Sequence, residues 1–289
     1  MRWRQSRRSS NVQDRRGTGG ARGVGVGGVG TLVVIVVIWL LGGDPSQVLR
    51  LLTGGGSVPS LSTEGGVPAA DDETGQFLSA VLAMTEDTWS EIFAASGSRY
   101  PAPQMVLFSG AVQTACGYGS ATSGPFYCPP DTSLYLDTDF FRELARMGGP
   151  GDFAQAYVIG HEVGHHVQNV TGVLSRVREI QGRASETEGN RVQVLVELQA
   201  DCYAGVWAYH TNQRQQVLEP GDVEEGLAAA SAIGDDTLQR NAGRSVTPES
   251  FTHGTSEERS EWLARGLETG DVSACDTFGG LLGVPAVPR

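Results

Sequence analysis

Two histidines four residues apart, with a glutamate between them, constrain this chain more than any other feature. The motif H-E-V-G-H occupies residues 161–165, within a segment, 152–170, whose apolar pattern predicts an α-helix. Residues i and i+4 of a helix lie about 40° apart, so His161 and His165 point to one side. Two imidazoles on one helix face are typical of a zinc site, and Glu162 would stand beside the open position of the metal. The chain must therefore fold so that another segment faces this helix and completes the site.

A third zinc ligand, besides His161 and His165, is not supplied by the motif helix itself. A catalytic zinc ion usually takes three protein ligands and a water. The longer motif H-E-x-x-H-x-x-G-x-x-H is excluded, because its glycine and third histidine are replaced here by Gln168 and Thr171. His166 faces about 100° away from His165 and cannot bind the same ion. The third ligand must come from elsewhere in the chain.

A second long predicted helix, residues 189–217, contains the best candidate for that ligand. Glu197 and Asp201 lie four residues apart on a face that is otherwise formed by alanines. Small residues on this face, and Gly164 on the motif helix, would allow the two helices to approach closely. We predict that Glu197 is the third ligand of one zinc ion, and that Asp201 accepts a hydrogen bond from the N–H of a zinc-bound imidazole. The alternative is that both acids lie on a solvated helix face.

The remaining pattern predicts an α+β fold, mostly helical, with a small β-sheet before the motif helix. Residues 72–96 have the periodicity of a helix. Short β-prone runs, interrupted by Gly and Pro, lie between residues 104 and 137. From residue 139 onward the chain has a helical pattern, with breaks at Gly, Pro or polar clusters. The predicted helices of this part are 139–147, 152–170, 189–217, 222–233 and 255–268.

The N-terminal part differs in composition from the rest. Residues 1–22 contain seven arginines, residues 23–43 contain no charged residue, and residues 44–71 are rich in Gly, Ser and Pro. The uncharged stretch is about long enough to span a bilayer, and the positive-inside rule places the basic end in the cytoplasm. We predict a cytoplasmic tail (1–22), one transmembrane helix (23–43), a flexible linker (44–71) and a folded domain (72–289) outside the cytoplasm, anchored in the cell membrane. A cleaved signal peptide is the alternative.

The four cysteines are consistent with a domain outside the cytoplasm. An even number of cysteines in an exported domain indicates two disulfides, and three pairings are possible. We favour Cys116–Cys128, which closes a short loop between two predicted strands, and by elimination Cys202–Cys275. Cys202 lies about 140° from Glu197 on the predicted helix, so it points away from the metal. Free buried thiols are the alternative if the membrane orientation is reversed.

Several separate motifs lie between residues 70 and 280. They are GPFYCP (124–129), HEVGHHVQN (161–169), VELQADCYAGVW (196–207), SFTHG (250–254) and ACDTF (274–278). Together they resemble the bacterial putative neutral zinc metallopeptidase family. The resemblance implies a zincin-like fold, one zinc ion and a single N-terminal membrane anchor. The spacing of Glu197 and Asp201 also resembles that of Ste-type CAAX proteases, in which the glutamate is the third ligand.

The motif and the resemblance together favour a membrane-anchored zinc endopeptidase that acts on peptides or proteins. Zinc would polarise the scissile carbonyl and lower the pKa of its water, and Glu162 would act as general base. Zincins usually bind the substrate as an added strand at a sheet edge, for which residues 132–137 are the candidate. His253, which precedes the flexible Gly254, is preferred over Tyr203 as a second donor to the oxyanion.

The main alternative is a non-catalytic extracytoplasmic domain, stabilised by zinc, that binds partners in the cell envelope. A structural zinc site does not need a carboxylate beside the metal, so Glu162 favours the enzyme. Nucleic acid is disfavoured as a partner: residues 44–289 contain 14 arginines and 32 acidic residues, and the resulting charge of −18 repels a phosphate backbone.

Overall fold

The computed structural model of the protein describes residues 1–17, 65–120, 124–280 and 282. The transmembrane helix predicted at 23–43 lies outside these residues, as does most of the predicted linker. No helix in the part of the chain that is described is both long and apolar enough to cross a bilayer. Residues Met1–Gly17 form one compact unit with the chain from Gly65 onward.

The main sheet contains four of the six strands in the described residues. Their order across the sheet is β1 (Val12–Asp14), β2 (Gln104–Phe108), β6 (Ser133–Asp137) and β5 (Phe126–Cys128). β2 pairs in parallel with β1 and β6, whereas β5 pairs antiparallel with β6. The prediction that residues 132–137 form the sheet edge that binds substrate is therefore wrong, because β6 is paired on both sides and β5 is at the edge. A separate hairpin consists of β3 (Ala111–Thr114) and β4 (Gly117–Ser120).

Helices make up most of the described residues, so the mostly helical α+β class is confirmed. The α-helices are α1 (Glu73–Ala95), α2 (Phe140–Met147), α3 (Asp152–Val170), α4 (Val173–Gln181), α5 (Glu186–Gln215), α6 (Asp222–Ala232), α7 (Asp235–Asn241) and α8 (Ser256–Thr269). The motif helix α3 has the predicted bounds. α5 begins three residues earlier than predicted, because Ser185 and Glu188 form a capping box. The apolar pattern of the sequence did not predict α4 or α7. Helix α7 has no buried residue, so its sequence has no periodic apolar face to detect.

The N-terminal segment, residues 1–17, packs on the domain, contrary to the prediction of a separate tail. Trp3 is buried and packs edge-on against Phe77 of α1, with ring centroids 5.4 Å apart. Three of the seven arginines that suggested a cytoplasmic tail, Arg4, Arg7 and Arg16, contact acidic residues of the domain, as Arg7 does with Asp87 at 2.7 Å. Strand β1 extends the main sheet by pairing with β2. These contacts bury apolar surface and neutralise charge, so the segment is part of the folded unit.

This packing also bears on the predicted membrane orientation. The backbone N–H of Asp14 donates a hydrogen bond of 2.6 Å to the carbonyl of Gly66, so the two ends of the undescribed stretch meet. A single crossing through residues 23–43 would place those two ends on opposite sides of a bilayer. The predicted arrangement, with residues 1–22 in the cytoplasm and the domain outside, is incompatible with these contacts.

Close helix packing brings the two predicted halves of the metal site together. A Cβ atom on Gly164 of α3 would lie 2.9 Å from the carbonyl oxygen of Ala200 on α5, closer than side chains pack. A Cβ on Gly266 of α8 would likewise lie 2.0 Å from the carbonyl oxygen of Cys202. The predicted close approach of α3 and α5 is confirmed, and α8 lies equally close to α5.

Both predicted disulfides are present. Cys116 pairs with Cys128, with Cα atoms 5.8 Å apart, and fastens the β3–β4 hairpin to β5. Cys202 pairs with Cys275, with Cα atoms 5.5 Å apart, and fastens α5 to the 3-10 helix Val272–Cys275. The pairing chosen among three possibilities is therefore confirmed.

Candidate metal centre

The three predicted ligands converge between α3 and α5. Oε2 of Glu197 lies 3.2 Å from Nε2 of His161 and 3.5 Å from Nε2 of His165. In a tetrahedral zinc site with bonds of about 2.0–2.1 Å, two ligand atoms lie roughly 3.3 Å apart. Oε2 of Glu197 therefore already has the spacing to both imidazoles that zinc requires, and the three donor atoms lie within 4.8 Å of one another. Two imidazoles with one carboxylate are a donor set typical of catalytic zinc.

Each imidazole is oriented by a hydrogen bond at Nδ1, the ring nitrogen that does not face Glu197. Nδ1 of His161 lies 2.7 Å from Oδ1 of Asp201, in the contact that the sequence predicts. Nδ1 of His165 lies 2.9 Å from Oε1 of Gln168. With Nδ1 donating in both cases, each Nε2 is directed toward Glu197. Asp201 and Gln168 thus select the nitrogen that can bind a metal.

Asp201 is held by two buried residues that sequence reasoning missed. Arg259 of α8 donates from Nε to Oδ2 and from Nη2 to Oδ1 of Asp201, both at 2.9 Å. The hydroxyl of Tyr157 donates to Oδ1 at 2.6 Å and accepts from Nη2 of Arg259 at 3.1 Å. Arg259 shares the buried face of α8 with Leu263 and Gly266. An arginine on a face that is otherwise apolar or small was the signal that could have identified it.

The charges of the site shift the pKa values of its members. Burial alone would lower the pKa of His161, but the carboxylate of Asp201 and a hydrogen bond to Glu197 raise it to about 10. The pKa of His165 is also raised, because Glu197 outweighs the effect of burial. Burial would raise the pKa of Asp201, but Arg259 and His161 hold it at about 2. The carboxylates of Asp201 and Glu197 therefore favour protons on the metal-free imidazoles, which a metal must displace, so metal binding weakens as the pH falls.

Glu162 faces a cavity of about 1070 Å³ that the predicted ligands also line. Its side chain is mostly buried and has no hydrogen-bond partner among the residues that the structure describes. Its charge also contributes to the pKa of His165. A carboxylate in this position is free to exchange a proton with a molecule bound in the cavity.

His253 lies at the rim of the same cavity, outside the group of three metal donors. Its Nδ1 is 3.1 Å from both Oδ1 of Asp235 and Oγ1 of Thr252. Oδ2 of Asp235 accepts the backbone N–H groups of Thr252, His253 and Gly254, at 2.7, 2.6 and 3.2 Å. Asp235, which the sequence analysis missed, therefore fixes both the loop and the ring. Tyr203 is fully buried and does not line the cavity.

The third histidine of the H-E-V-G-H-H run, His166, links α3 to the sheet edge. His166 contacts the hydroxyl of Tyr127 through Nδ1 at 3.0 Å, and the carbonyl of Pro101 through Nε2 at 2.6 Å. Burial lowers the pKa of His166 to about 4, so the ring stays neutral. Asn169 donates to the same hydroxyl at 2.9 Å. This network fixes β5, whose Phe126 and Tyr127 line the cavity, relative to the motif helix.

The chain is similar to one known protein family and to several uncharacterized bacterial proteins. The model of the putative neutral zinc metallopeptidase family matches residues 1–278. The chain belongs to this family. The uncharacterized protein YpfJ of Escherichia coli (strain K12) is 45% identical over 286 residues, covering 96% of this chain and 99% of YpfJ. The uncharacterized protein Rv2575 of Mycobacterium tuberculosis (strain ATCC 25618 / H37Rv) is 41% identical over 259 residues, covering 83% of this chain and 84% of Rv2575. No solved structure is significantly similar to the chain.

Proposed function

We propose that this member of the zinc metallopeptidase family is a zinc-dependent endopeptidase with a zincin-like fold. One zinc ion would be bound by His161, His165 and Glu197. The spacing of these three donor atoms, with the unpartnered carboxylate of Glu162 in the same cavity, is the observation that supports the proposal most directly. A purely structural zinc site would not need that carboxylate or the cavity, so the arrangement favours the enzyme over the alternative of a zinc-stabilised binding domain.

The chain's own residues have separate roles in this reaction. Zinc at this site would polarise the scissile carbonyl and lower the pKa of the attacking water. Glu162 would accept the proton of that water at a carboxylate oxygen and then donate it to the nitrogen of the leaving amine. Asp201 and Gln168 would keep the two imidazoles in the ligating orientation throughout.

We place the peptide substrate along β5 rather than along residues 132–137. β5 is the strand at the cavity end of the main sheet and has a neighbour, β6, on one side only. A peptide could therefore pair with its free backbone groups as an additional strand. The hydrogen bonds of Tyr127 to His166 and Asn169 would hold that edge at a fixed distance from the motif helix.

The two disulfides suggest where the enzyme works. All four cysteines are paired, which fits an oxidising compartment outside the cytoplasm. Contact of residues 23–43 with a lipid bilayer stays a prediction, since those residues are not described. The packing of residues 1–17 on the domain places residues 17 and 65 on the same side of any membrane.

Metal content and cleavage of a peptide library test the proposal together. The purified protein, with its disulfides formed, should contain about one zinc per chain and lose cleavage activity with a chelator. Glu197→Gln removes an anionic ligand and should lower zinc affinity markedly. Glu188→Gln, at an exposed cap of the same helix, is the matched control and should retain zinc. Folded parent protein without zinc affinity would refute the metal centre.

We also propose that His253 donates a hydrogen bond from Nε2 to the oxyanion of the transition state. His253→Gln should then lower kcat about 10²-fold, the usual effect of losing one such donor, and leave zinc bound. Asp235→Asn should lower kcat less, because the amide still accepts from the loop but no longer holds the ring as a carboxylate does. The control is Asp236→Asn, since Asp236 contacts Ser256 and Arg240 but not His253. Unchanged kcat in His253→Gln would exclude this role.

A further inference from the structure

A row of buried side-chain amides connects His165 to the backbone of Cys275. His165 Nδ1 is 2.9 Å from Oε1 of Gln168, and Nε2 of Gln168 donates to Oε1 of Gln199 at 3.1 Å. Nε2 of Gln199 then donates to the carbonyl oxygen of Cys275 at 3.0 Å. Gln168 is 0% and Gln199 3% exposed, so water does not compete for these bonds.

The direction of every bond in this row follows from its last acceptor. A backbone carbonyl can only accept, so Gln199 must direct its NH₂ group to Cys275 and its oxygen to Gln168. Gln168 also donates to the carbonyl of Val196, at 2.7 Å, so its oxygen must face His165. His165 then donates from Nδ1, and Nε2 remains the nitrogen that can bind a metal.

The Cys202–Cys275 disulfide stands at the far end of this row. It fastens the 3-10 helix Val272–Cys275 to α5, and both of its cysteines are fully buried. Cys202 directly follows Asp201, which orients the other imidazole, that of His161. One covalent link is thus adjacent to both hydrogen-bond systems that orient the histidines. The Cys116–Cys128 disulfide joins the β3–β4 hairpin to β5, whose Tyr127 contacts His166 and Asn169 rather than a group that orients His161 or His165.

We propose that Gln199 and the Cys202–Cys275 disulfide are positioning elements of the metal centre, so that zinc affinity depends on both. The inference rests on the proposed zinc site. Without the disulfide, the Cys275 carbonyl is no longer held against α5, and Gln199 loses the acceptor that fixes its amide. A reversed Gln199 amide would present N–H groups to Gln168 and oppose its orientation. A reversed Gln168 would in turn favour the His165 tautomer with its proton on Nε2, which cannot bind a metal.

The test compares zinc dissociation constants, measured by competition with a chromophoric chelator, in the full-length protein and its variants. Cys202→Ser with Cys275→Ser should weaken zinc binding about tenfold or more, as the loss of groups that orient ligands does. Cys116→Ser with Cys128→Ser, the matched control, should stay within about twofold of the parent. Gln199→Met should weaken binding to a similar degree as the first pair, about tenfold.

Combining the variants separates a specific connection from general loosening of the fold. If Gln199 transmits the effect, adding Cys202→Ser and Cys275→Ser to Gln199→Met should weaken zinc binding no further. The inference would be overturned if the fold-losses in zinc affinity from Gln199→Met and from the Cys202/Cys275 variant multiplied in the combined protein. It would also be overturned if the two disulfide variants weakened zinc binding equally. Should the Cys202/Cys275 variant not fold, folded Gln199→Met with unchanged zinc affinity would overturn it alone. A parent protein that binds no zinc would instead refute the proposed metal centre itself.

Discussion

Glu162→Gln should retain its zinc and lose at least about 10²-fold in kcat for peptide hydrolysis. The substitution keeps the shape of the side chain and leaves His161, His165 and Glu197 unchanged, so the ligand set stays complete. An amide oxygen cannot take up the proton of the attacking water or return it to the leaving amine, and general acid–base catalysis typically contributes 10²–10⁴-fold. Zinc content and steady-state cleavage of one peptide, measured on the same preparation, would show both effects.

A matched control exists on a neighbouring helix. Glu179 is an exposed residue of α4 that pairs with Arg176 at 2.5 Å, and Glu179→Gln should leave both zinc content and kcat within a few-fold of the parent. If Glu162→Gln cleaved peptide as fast as the parent, the proposed mechanism would fail although the zinc site stood. If it lost zinc as well, the glutamate would act through the ligands rather than as a base.

The convergence of His161, His165 and Glu197 could be predicted because its main constraints are local in sequence. The four-residue spacing of His161 and His165 places both on one face whatever the rest of the chain does. The same spacing of Glu197 and Asp201, on a face of alanines, indicated a helix that packs closely with its acids inward. Gly164 against Ala200 shows that this packing occurs. The disulfide pairing followed from loop length and elimination.

The parts that were missed depend on contacts between distant segments. The order β1-β2-β6-β5 places a later strand between two earlier ones, and no local pattern shows this. β1 has only three residues, and the arginines of this segment suggested a tail because the acidic partners of Arg4 and Arg7 lie 69 to 80 residues away. Asp235, Gln199 and Arg259 were missed for the same reason, since each orients a group on another element.

Arg259→Met should reduce the free energy of unfolding of the zinc-free protein by about 3 kcal/mol, the low end of the usual cost of breaking a buried ion pair, because the protonated imidazole of His161 still faces Asp201. The side chains of Arg259 and Asp201 are 2% and 0% exposed, and two hydrogen bonds of 2.9 Å join them. Methionine fills a similar volume but leaves the Asp201 carboxylate buried with only His161 and Tyr157 as partners. Urea unfolding of zinc-free parent and variant would measure the loss.

Two further variants show whether the buried charge is the cause. Arg265→Met changes an exposed arginine of the same helix, which stacks on Trp262 and pairs weakly with Glu261, and should cost no more than about 1 kcal/mol. Adding Asp201→Asn to Arg259→Met removes the buried carboxylate that has lost its guanidinium partner, so the double variant should recover part of the lost stability. A double variant less stable than Arg259→Met alone would mean that the hydrogen bonds of Asp201, rather than its charge, hold α3, α5 and α8 together.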